Sequence, residues 1–252
     1  MVVDANFVTA CASSAQAFKT ATLLKTLNVN ALITGEVGVG KKTLAKYILP
    51  NTPVINALNH DEVLQTLHSS NSIIIHDIDN SPNIKSVFDV IIAKNIRIIA
   101  TSKCSLNSDD IDKIFSIKFE IPPLSQRAAD VNELIKKFVK EASELFYSNS
   151  EFNIKNFKPD LSQNSNSLRR QIMINYLLQD INESELMDIM RNYLIDKLGS
   201  NSDYKNFIHL YEAPLLKAGL EKFKSQLRLA DRLGLNRNTL RKKIAENIKY
   251  LN

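Results

Sequence analysis

Asn30–Lys46 reads NALITGEVGVGKKTLAK, and the reading of its middle, Gly35-Glu36-Val37-Gly38-Val39-Gly40-Lys41, decides the fold. The glycines follow a β-branched run, Val29–Thr34, and precede an amphipathic stretch, Lys41–Leu49. A glycine-rich turn from strand to helix lets backbone N–H groups converge on phosphate oxygens. The helix N-terminus adds a positive dipole, and a lysine at its first turn reaches the terminal phosphates. Gly35, Glu36, Val37, Gly38, Val39, Gly40, Lys41 and Lys42 are therefore the expected nucleotide-binding residues. The expected ligand is ATP or ADP, with magnesium able to accompany it. One part is altered: the hydroxyl residue that usually follows the lysine and holds magnesium is replaced by Lys42, with Thr43 next.

Outward from this loop, short apolar runs alternate with helical stretches. Strands are expected at Val29–Thr34, Pro53–Asn56, Ser72–His76, Ile96–Thr101 and Ser116–Ile121. Helices are expected around Ala15–Leu27, Lys41–Leu49, Asp61–His68 and Ile84–Ala93. That alternation predicts an α/β core with a parallel sheet and helices on both faces. Pro122 and Pro123 stop the last strand because proline donates nothing to a ladder. Beyond them, Val131, Leu134, Ile135, Phe138 and Val139 fall at helix spacing. Ser148–Ser167 is polar and reads as loop with a short helix, and Leu168–Asp180 as a further helix. Asn182 or Ser184 offers an N-cap before the next one, and a domain boundary is drawn near Asn182.

The chain of 252 residues is 44% hydrophobic and 23% charged, too apolar to be disordered and long enough to bury a core without staples. Two cysteines, Cys11 and Cys104, argue against a disulfide framework and for a reducing compartment. His60, His68, His76 and His209 share no ligand spacing with them, so no metal ligands are assigned. No basic-then-apolar leader opens the sequence, and Lys94, Asn95 and Arg97 interrupt the apolar run Val90–Ala100. A cytoplasmic protein without membrane contact is expected.

The net charge of +5 is unevenly divided. Leu215–Asn252 holds ten basic and three acidic residues, a net of +7, leaving −2 for everything before it. A positive excess confined to one end points to a polyanion, and the pattern of the segment makes double-stranded DNA the expected one. Gln226–Ile244, QLRLADRLGLNRNTLRKKI, has the features of a helix-turn-helix. Ala230 allows close helix packing and Gly234 suits a turn at positive φ; Leu229, Leu233, Leu235, Leu240 and Ile244 supply a small core. Asn236 caps a second helix whose first turn exposes Arg237 and Asn238, with Arg241, Lys242 and Lys243 behind them. Such a helix enters the major groove with its early residues at base edges and its later cations at phosphates.

NALITGEVGVGKKTLAK resembles the nucleotide-binding loop of the AAA+ domain in sigma-54-dependent transcription activators, a family that often lacks the hydroxyl after its lysine. Three further segments are similar in order: Ser72–Asp79 (SIIIHDID) to the acidic strand end, Asn95–Leu106 (NIRIIATSKCSL) to the first-sensor strand, and Phe119–Val131 (FEIPPLSQRAADV) to the linker into the helical lid. The resemblance implies an AAA+ core at 1–123, a lid at 124–182 and a DNA-binding and dimerisation domain at 183–252. It matches Arg169 to the lid arginine that meets nucleotide. It also exposes departures: the family's aspartate–glutamate pair becomes His76 and Asp77, and its trans-acting arginine becomes Lys113. An aspartate there helps hold magnesium and the glutamate orients water, so Asp77, the candidate catalytic residue, serves one role but not both. Lysine lacks the two-pronged contact of guanidinium. Between Asn56 and Ile73, where the family carries its long sigma-54-contacting insertion, stands only ALNHDEVLQTLHSSNS, and no sigma-54 contact is expected.

The basic end is similar to the DNA-binding end of the nucleoid protein Fis and of sigma-54 activators, most strongly at Glu212–Leu216 and Asn236–Ile244. That resemblance places Arg228, Asn236, Arg237, Thr239, Arg241, Lys242 and Lys243 at DNA-contacting positions. It makes Glu185–Leu198 and Asp203–Phe223, kinked at Pro214, the core of a homodimer. Leu215, Leu216, Leu220 and Phe223 form a seam that serves either a dimer or the domain's own packing. The expected function is a sequence-specific, nucleoid-associated transcriptional regulator with a degenerate AAA+ domain in which ATP is bound and hydrolysed weakly or not at all. Two alternatives stand beside it: an active AAA+ ATPase acting on DNA, as a remodeller or initiation helper, and a nucleoid-architectural protein that bends DNA.

Overall fold

A computed structural model describes residues 7–104, 106, 109–146, 157–179 and 181–251. The chain divides into two compact units, Met1–Asp180 and Ile181–Asn252.

The first unit is built on a five-stranded parallel sheet in the order β2-β3-β4-β1-β5. The strands are β1 (Ala31–Thr34), β2 (Val54–Asn56), β3 (Ser72–His76), β4 (Arg97–Ser102) and β5 (Ile117–Glu120). The α/β expectation holds, and each strand lies within a residue or two of its predicted span. Register pairs Ala31 with both Ile99 and Ile117, so β1 is flanked on both sides. Period-two alternation then divides the apolar residues between two layers. Leu32, Ile73, Ile75, Ile98 and Ala100 face one way, packing with Val63, Leu67, Phe88 and Ile91 of α3 (His60–Ser69) and α4 (Ile84–Lys94). Ala31, Ile33, Ile74 and Ile99 face the other way, onto Ala21, Leu24, Leu44 and Ile48 of α1 (Ala12–Thr26) and α2 (Lys41–Ile48).

Within this unit α5 (Asp109–Ile114), too short to show periodicity, was not anticipated. Asp109, Asp110 and Asp112 suit its N-terminal turn, while Ile111 and Ile114 are buried. A 3-10 turn at Leu124–Gln126 precedes α6 (Ala128–Leu145), which packs on α7 (Ser165–Gln179) through Val131, Ile135, Phe138, Leu168 and Ile172. α7 starts three residues before its predicted Leu168. Much of the predicted Ser148–Ser167 loop lies outside the described residues.

The second unit is helical. Asn182, rather than Ser184, caps α8 (Glu183–Ile195), with a reciprocal bond from Glu185 that completes a capping box. The predicted helix Asp203–Phe223 is divided at Ile208 into α9 (Asp203–Phe207) and α10 (His209–Phe223), and Pro214 lies inside α10. α11 (Gln226–Leu233) and α12 (Arg237–Glu246) form the helix-turn-helix, and a last turn, α13 (Ile248–Leu251), follows. Gly234 sits at φ 64° and closes α11; Asn236 caps α12 by accepting the Thr239 N–H at 2.8 Å. Leu216, Leu229, Ala230 and Leu240 are the buried centre, joined by Leu220, Phe223, Leu233, Leu235 and Ile244. Three of the four seam residues, Leu216, Leu220 and Phe223, are thus spent on the unit's own core. Gly219 lets Leu229 pack close, since a Cβ there would meet the end of the Leu229 side chain, which would have to shift.

Candidate nucleotide and nucleic-acid sites

The loop after β1 sorts its backbone groups by direction. All six carbonyls from Gly35 to Gly40 have partners inside the first unit. Lys41 Nζ donates to Gly35 O at 2.5 Å and Glu36 O at 2.8 Å. Asn164 Nδ2 donates to Val37 O at 2.9 Å, Ser165 Oγ to Gly38 O at 2.5 Å, and Arg127 Nη2 to Val39 O at 3.0 Å. Gly40 O accepts from Leu44 N at 3.1 Å. By contrast, the N–H groups of Gly38, Val39, Gly40, Lys41 and Lys42 meet no acceptor among the described residues. Gly38 and Gly40 hold φ of 82° and 109°, conformations that favour glycine, and a Cβ on Gly40 would lie 2.7 Å from the Phe7 ring. A run of inward N–H groups at a helix start is an anion cradle.

Two adjoining clefts flank this loop and share Gly38, Gly40, Thr43, Ser165 and Asn166 in their walls. One, of about 210 Å³, is lined by apolar Phe7, Val8, Leu124, Leu134 and Phe138, with Arg127 and Arg169. The other, of about 240 Å³, is lined by Lys41, Lys42, Thr43, His76 and Asp77. Apolar walls beside a phosphate cradle suit a nucleoside and its phosphates in turn.

Lys41 is 5% exposed, and burial pulls its ammonium below the ordinary lysine pKa against the pull of Asp77 and Asp79. Asp77 stands just beyond β3 at φ 52°. Its N–H donates to Thr101 Oγ1 at 3.1 Å, and the same hydroxyl lies 2.8 Å from His76 Nδ1. Burial pushes the His76 pKa down; Asp77 opposes that, and Lys42, Lys41 and Lys103 add to it. Lys113 is on α5, 71% exposed and 3.8 Å from Asp110. Arg169 lines the apolar cleft while its guanidinium is paired with Glu141 of α6, Nε to Oε2 at 3.1 Å. That hydrogen bond holds the Glu141 carboxyl below its usual range and raises the Arg169 pKa.

Three residues of this site carry no local sequence signal. Asn164, 1% exposed, links the loop (through Glu36 Oε2 and Val37 O) to the Leu124 N–H, which it accepts at 2.7 Å. Ser165 joins α7 to Gly38. Arg127, 2% exposed, bridges Val39 O and Asp130, and its Nε has no acceptor among the described residues. Burial lowers the Arg127 pKa and Asp130 opposes that. Arg127 lies within the quoted FEIPPLSQRAADV stretch, but its partner Val39 is 88 residues away.

In the second unit α12 buries Leu240 and exposes Arg237, Asn238, Arg241 and Lys242, with Thr239 half-buried. Arg228 is exposed on α11. Asn236 is occupied at Thr239 as a cap. Lys243 is half-buried and ion-paired with Glu212, which also accepts from Asn247 Nδ2 at 3.3 Å; these contacts bind α12 to α10. The hydrogen bond to Glu212 raises the Lys243 pKa. His209 stacks on Tyr250 at 4.5 Å, holding α13 to α10.

This geometry defines an AAA+-type α/β core and a Fis-type helix-turn-helix. Residues 208–246 match the family model described as bacterial regulatory protein, Fis family. Among solved structures, NtrX from Brucella abortus in complex with ADP is similar at a TM-score of 0.57 and 17% identity, covering 98% of this chain and 70% of that one. NtrX from Brucella abortus in complex with ATP gives 0.55 and 16%, covering 96% and 69%. Domain III of the Thermotoga maritima replication initiation protein DnaA gives 0.51 and 15%, covering 76% and 96%. No curated protein matches this chain. No described helix is long and apolar enough to cross a membrane.

Proposed function

We propose that this protein is a sequence-specific DNA-binding transcriptional regulator whose AAA+ core binds ATP or ADP as a ligand. The observation that carries the DNA half is α12. It is capped by Asn236, anchored by Leu240, and turns Arg237, Asn238, Arg241 and Lys242 to solvent on a helix-turn-helix matched to the Fis family. Arg237, Asn238 and Thr239 read base edges; Arg228, Arg241 and Lys242 meet phosphate. Lys243, held by Glu212, orients α12. In domain terms 1–123 is the nucleotide core, 124–182 its lid and 183–252 the DNA-binding and dimerisation domain.

Nucleotide binding is supported by the free N–H groups of Gly38–Lys42. The cofactor-binding set is Gly35–Lys42 with Arg169. Hydrolysis is slow in this reading, because Asp77 stands without a neighbouring glutamate to orient water and Lys113 replaces an arginine. Between β2 and β3 the chain holds only α3 and short turns, which supports a regulator that makes no sigma-54 contact. The dimer forms through α8 and its surroundings. α8 buries none of its residues in the described chain, and Leu186, Met187, Ile189, Tyr193 and Ile195 are all exposed. Paired recognition helices then read half-sites about one helical turn apart.

The test is genome-wide occupancy with Arg237→Ala/Arg241→Ala beside the native chain. A regulator gives few sharp sites that the double variant loses. Broad occupancy favours the architectural alternative, and brisk DNA-dependent ATP turnover favours the remodeller.

A further inference from the structure

We propose that the phosphate site takes its nucleoside di- or triphosphate free of metal, with Lys41, Lys42 and the loop N–H groups doing the neutralisation that magnesium performs elsewhere. This rests on the nucleotide-binding reading above and concerns the charge state of the ligand.

Magnesium asks for near-octahedral oxygen ligands, normally one or two carboxylates beside phosphate oxygens and water. The cleft wall of Lys41, Lys42, Thr43, His76 and Asp77 does not fit that demand. Its oxygen donors from side chains are few. They are the hydroxyls of Thr43 and Ser165, the second donating its proton to Gly38 O, the Asn166 amide oxygen, and a single carboxylate, Asp77. That carboxylate lies 3.6 Å from His76 Nδ1 and 4.0 Å from the Lys103 ammonium, so the chain's own groups already attend it. Asp79, the next acid, accepts the Lys103 N–H at 3.3 Å. At the end of β3 an imidazole replaces the second oxygen ligand, and magnesium is a poor match for nitrogen. Among the described residues no group of three or more His, Cys, Asp or Glu side chains converges on a metal position.

The cations weigh the other way. Lys42 occupies the place of the metal-holding hydroxyl, next to Lys41, so the lining carries two ammonium groups against one carboxylate before any ligand enters. A dication is repelled by that lining, whereas a polyphosphate finds both ammonium groups and five N–H donors that meet no acceptor among the described residues. Lys103 adds a third cation beside Asp77.

The experiment is calorimetric titration of the full chain with ADP and with ATP, in EDTA and in millimolar magnesium chloride. The expected dissociation constant in EDTA is lower than in magnesium, because complexation with the metal depletes the form that binds. Lys42 is exposed and its replacement leaves the core intact; Lys42→Ala is expected to weaken binding in EDTA about tenfold, the worth of one charge-assisted hydrogen bond. Asp77→Asn is expected to tighten it by removing a charge that opposes phosphate. Binding that tightens with magnesium, with the gain abolished in Asp77→Asn, overturns the inference and leaves the nucleotide reading standing. No binding in either buffer overturns both.

Discussion

In the function proposed above, the phosphate loop and α12 answer the same problem, holding a polyanion, with opposite materials. The loop borders two clefts and is made of backbone: six carbonyls are tied down, and five N–H groups meet no acceptor among the described residues. Helix α12 is convex and made of side chains, with Arg237, Arg241 and Lys242 turned to solvent around a single buried anchor, Leu240. A backbone cradle draws on groups that every residue carries, so most of its side chains are free to vary. A side-chain surface has no such protection, since each cation meets the ligand by itself. Chemistry beyond binding is therefore the first property the loop loses, and affinity the first property the helix loses.

That contrast breaks most visibly if the two sites are separated. Removing Ile181–Asn252 is expected to abolish DNA binding while the remaining chain still shows a thermal shift with ATP. Salt-sensitive DNA binding retained by the shortened chain in a mobility-shift assay would put the polyanion surface in the wrong unit.

The next effect tests the cradle. Lys41→Ala is expected to remove the stabilisation that nucleotide provides, about 2.7 kcal/mol with ligand a hundredfold above its dissociation constant. Calorimetric melting with and without ATP reads this directly, and an unchanged shift would mean the lysine is only a brace for Gly35 O and Glu36 O.

A finer comparison lies within the helix. Arg241→Ala is expected to flatten the slope of log affinity against log salt by about 0.9, the share of a single neutralised phosphate. Lys243→Ala is expected to leave that slope unchanged and instead to cost roughly 1 kcal/mol of stability, because its ammonium is bound to Glu212 in a half-buried pair. Equal slopes for the two variants would return Lys243 to the DNA surface.

The smallest effect is in the lid. Glu141 is held below its ordinary range by Arg169, so the pair's stabilisation is fully present above the unfolded carboxylate pKa and is lost as pH falls through the folded one. The pair is exposed to solvent, and a few tenths of a kcal/mol is expected. Acid titration of melting temperature for Arg169→Gln against the native chain should converge at low pH; a constant gap down to the acid limit would assign Arg169 another partner.

Much of this was legible along the chain because it depends on neighbours. Strands buried on both faces read as continuous β-branched runs, and Ile73-Ile74-Ile75 divides between two cores by alternation alone. Gly38, Gly40 and Gly234 announce turns because their positive φ is expensive for other residues. Asn236 announces a helix start. α5 escaped because six residues are fewer than two helical turns, and its acids look like loop.

By itself the sequence determined the order of strands and helices, the loop, the helix-turn-helix and the concentration of positive charge at one end, all of which follow from local pattern and composition. Only the tertiary structure decided which polar groups are free. Asn164 meets Val37 across 127 residues and Arg127 meets Val39 across 88; these hydrogen bonds occupy the loop carbonyls, while the N–H groups of Gly38–Lys42 meet no acceptor among the described residues. Leu216, Leu220 and Phe223 were equally suited to a partner or to the unit's own core, and packing against Leu229 and Leu240 chose the core. Lys243 carries the same charge as Lys242 and sits beside it, yet one faces Glu212 and the other solvent. Charge and apolarity are properties of a residue, but a partner is a property of the fold. It takes distant segments brought together to decide which lysine is spent on a partner and which is left in solvent.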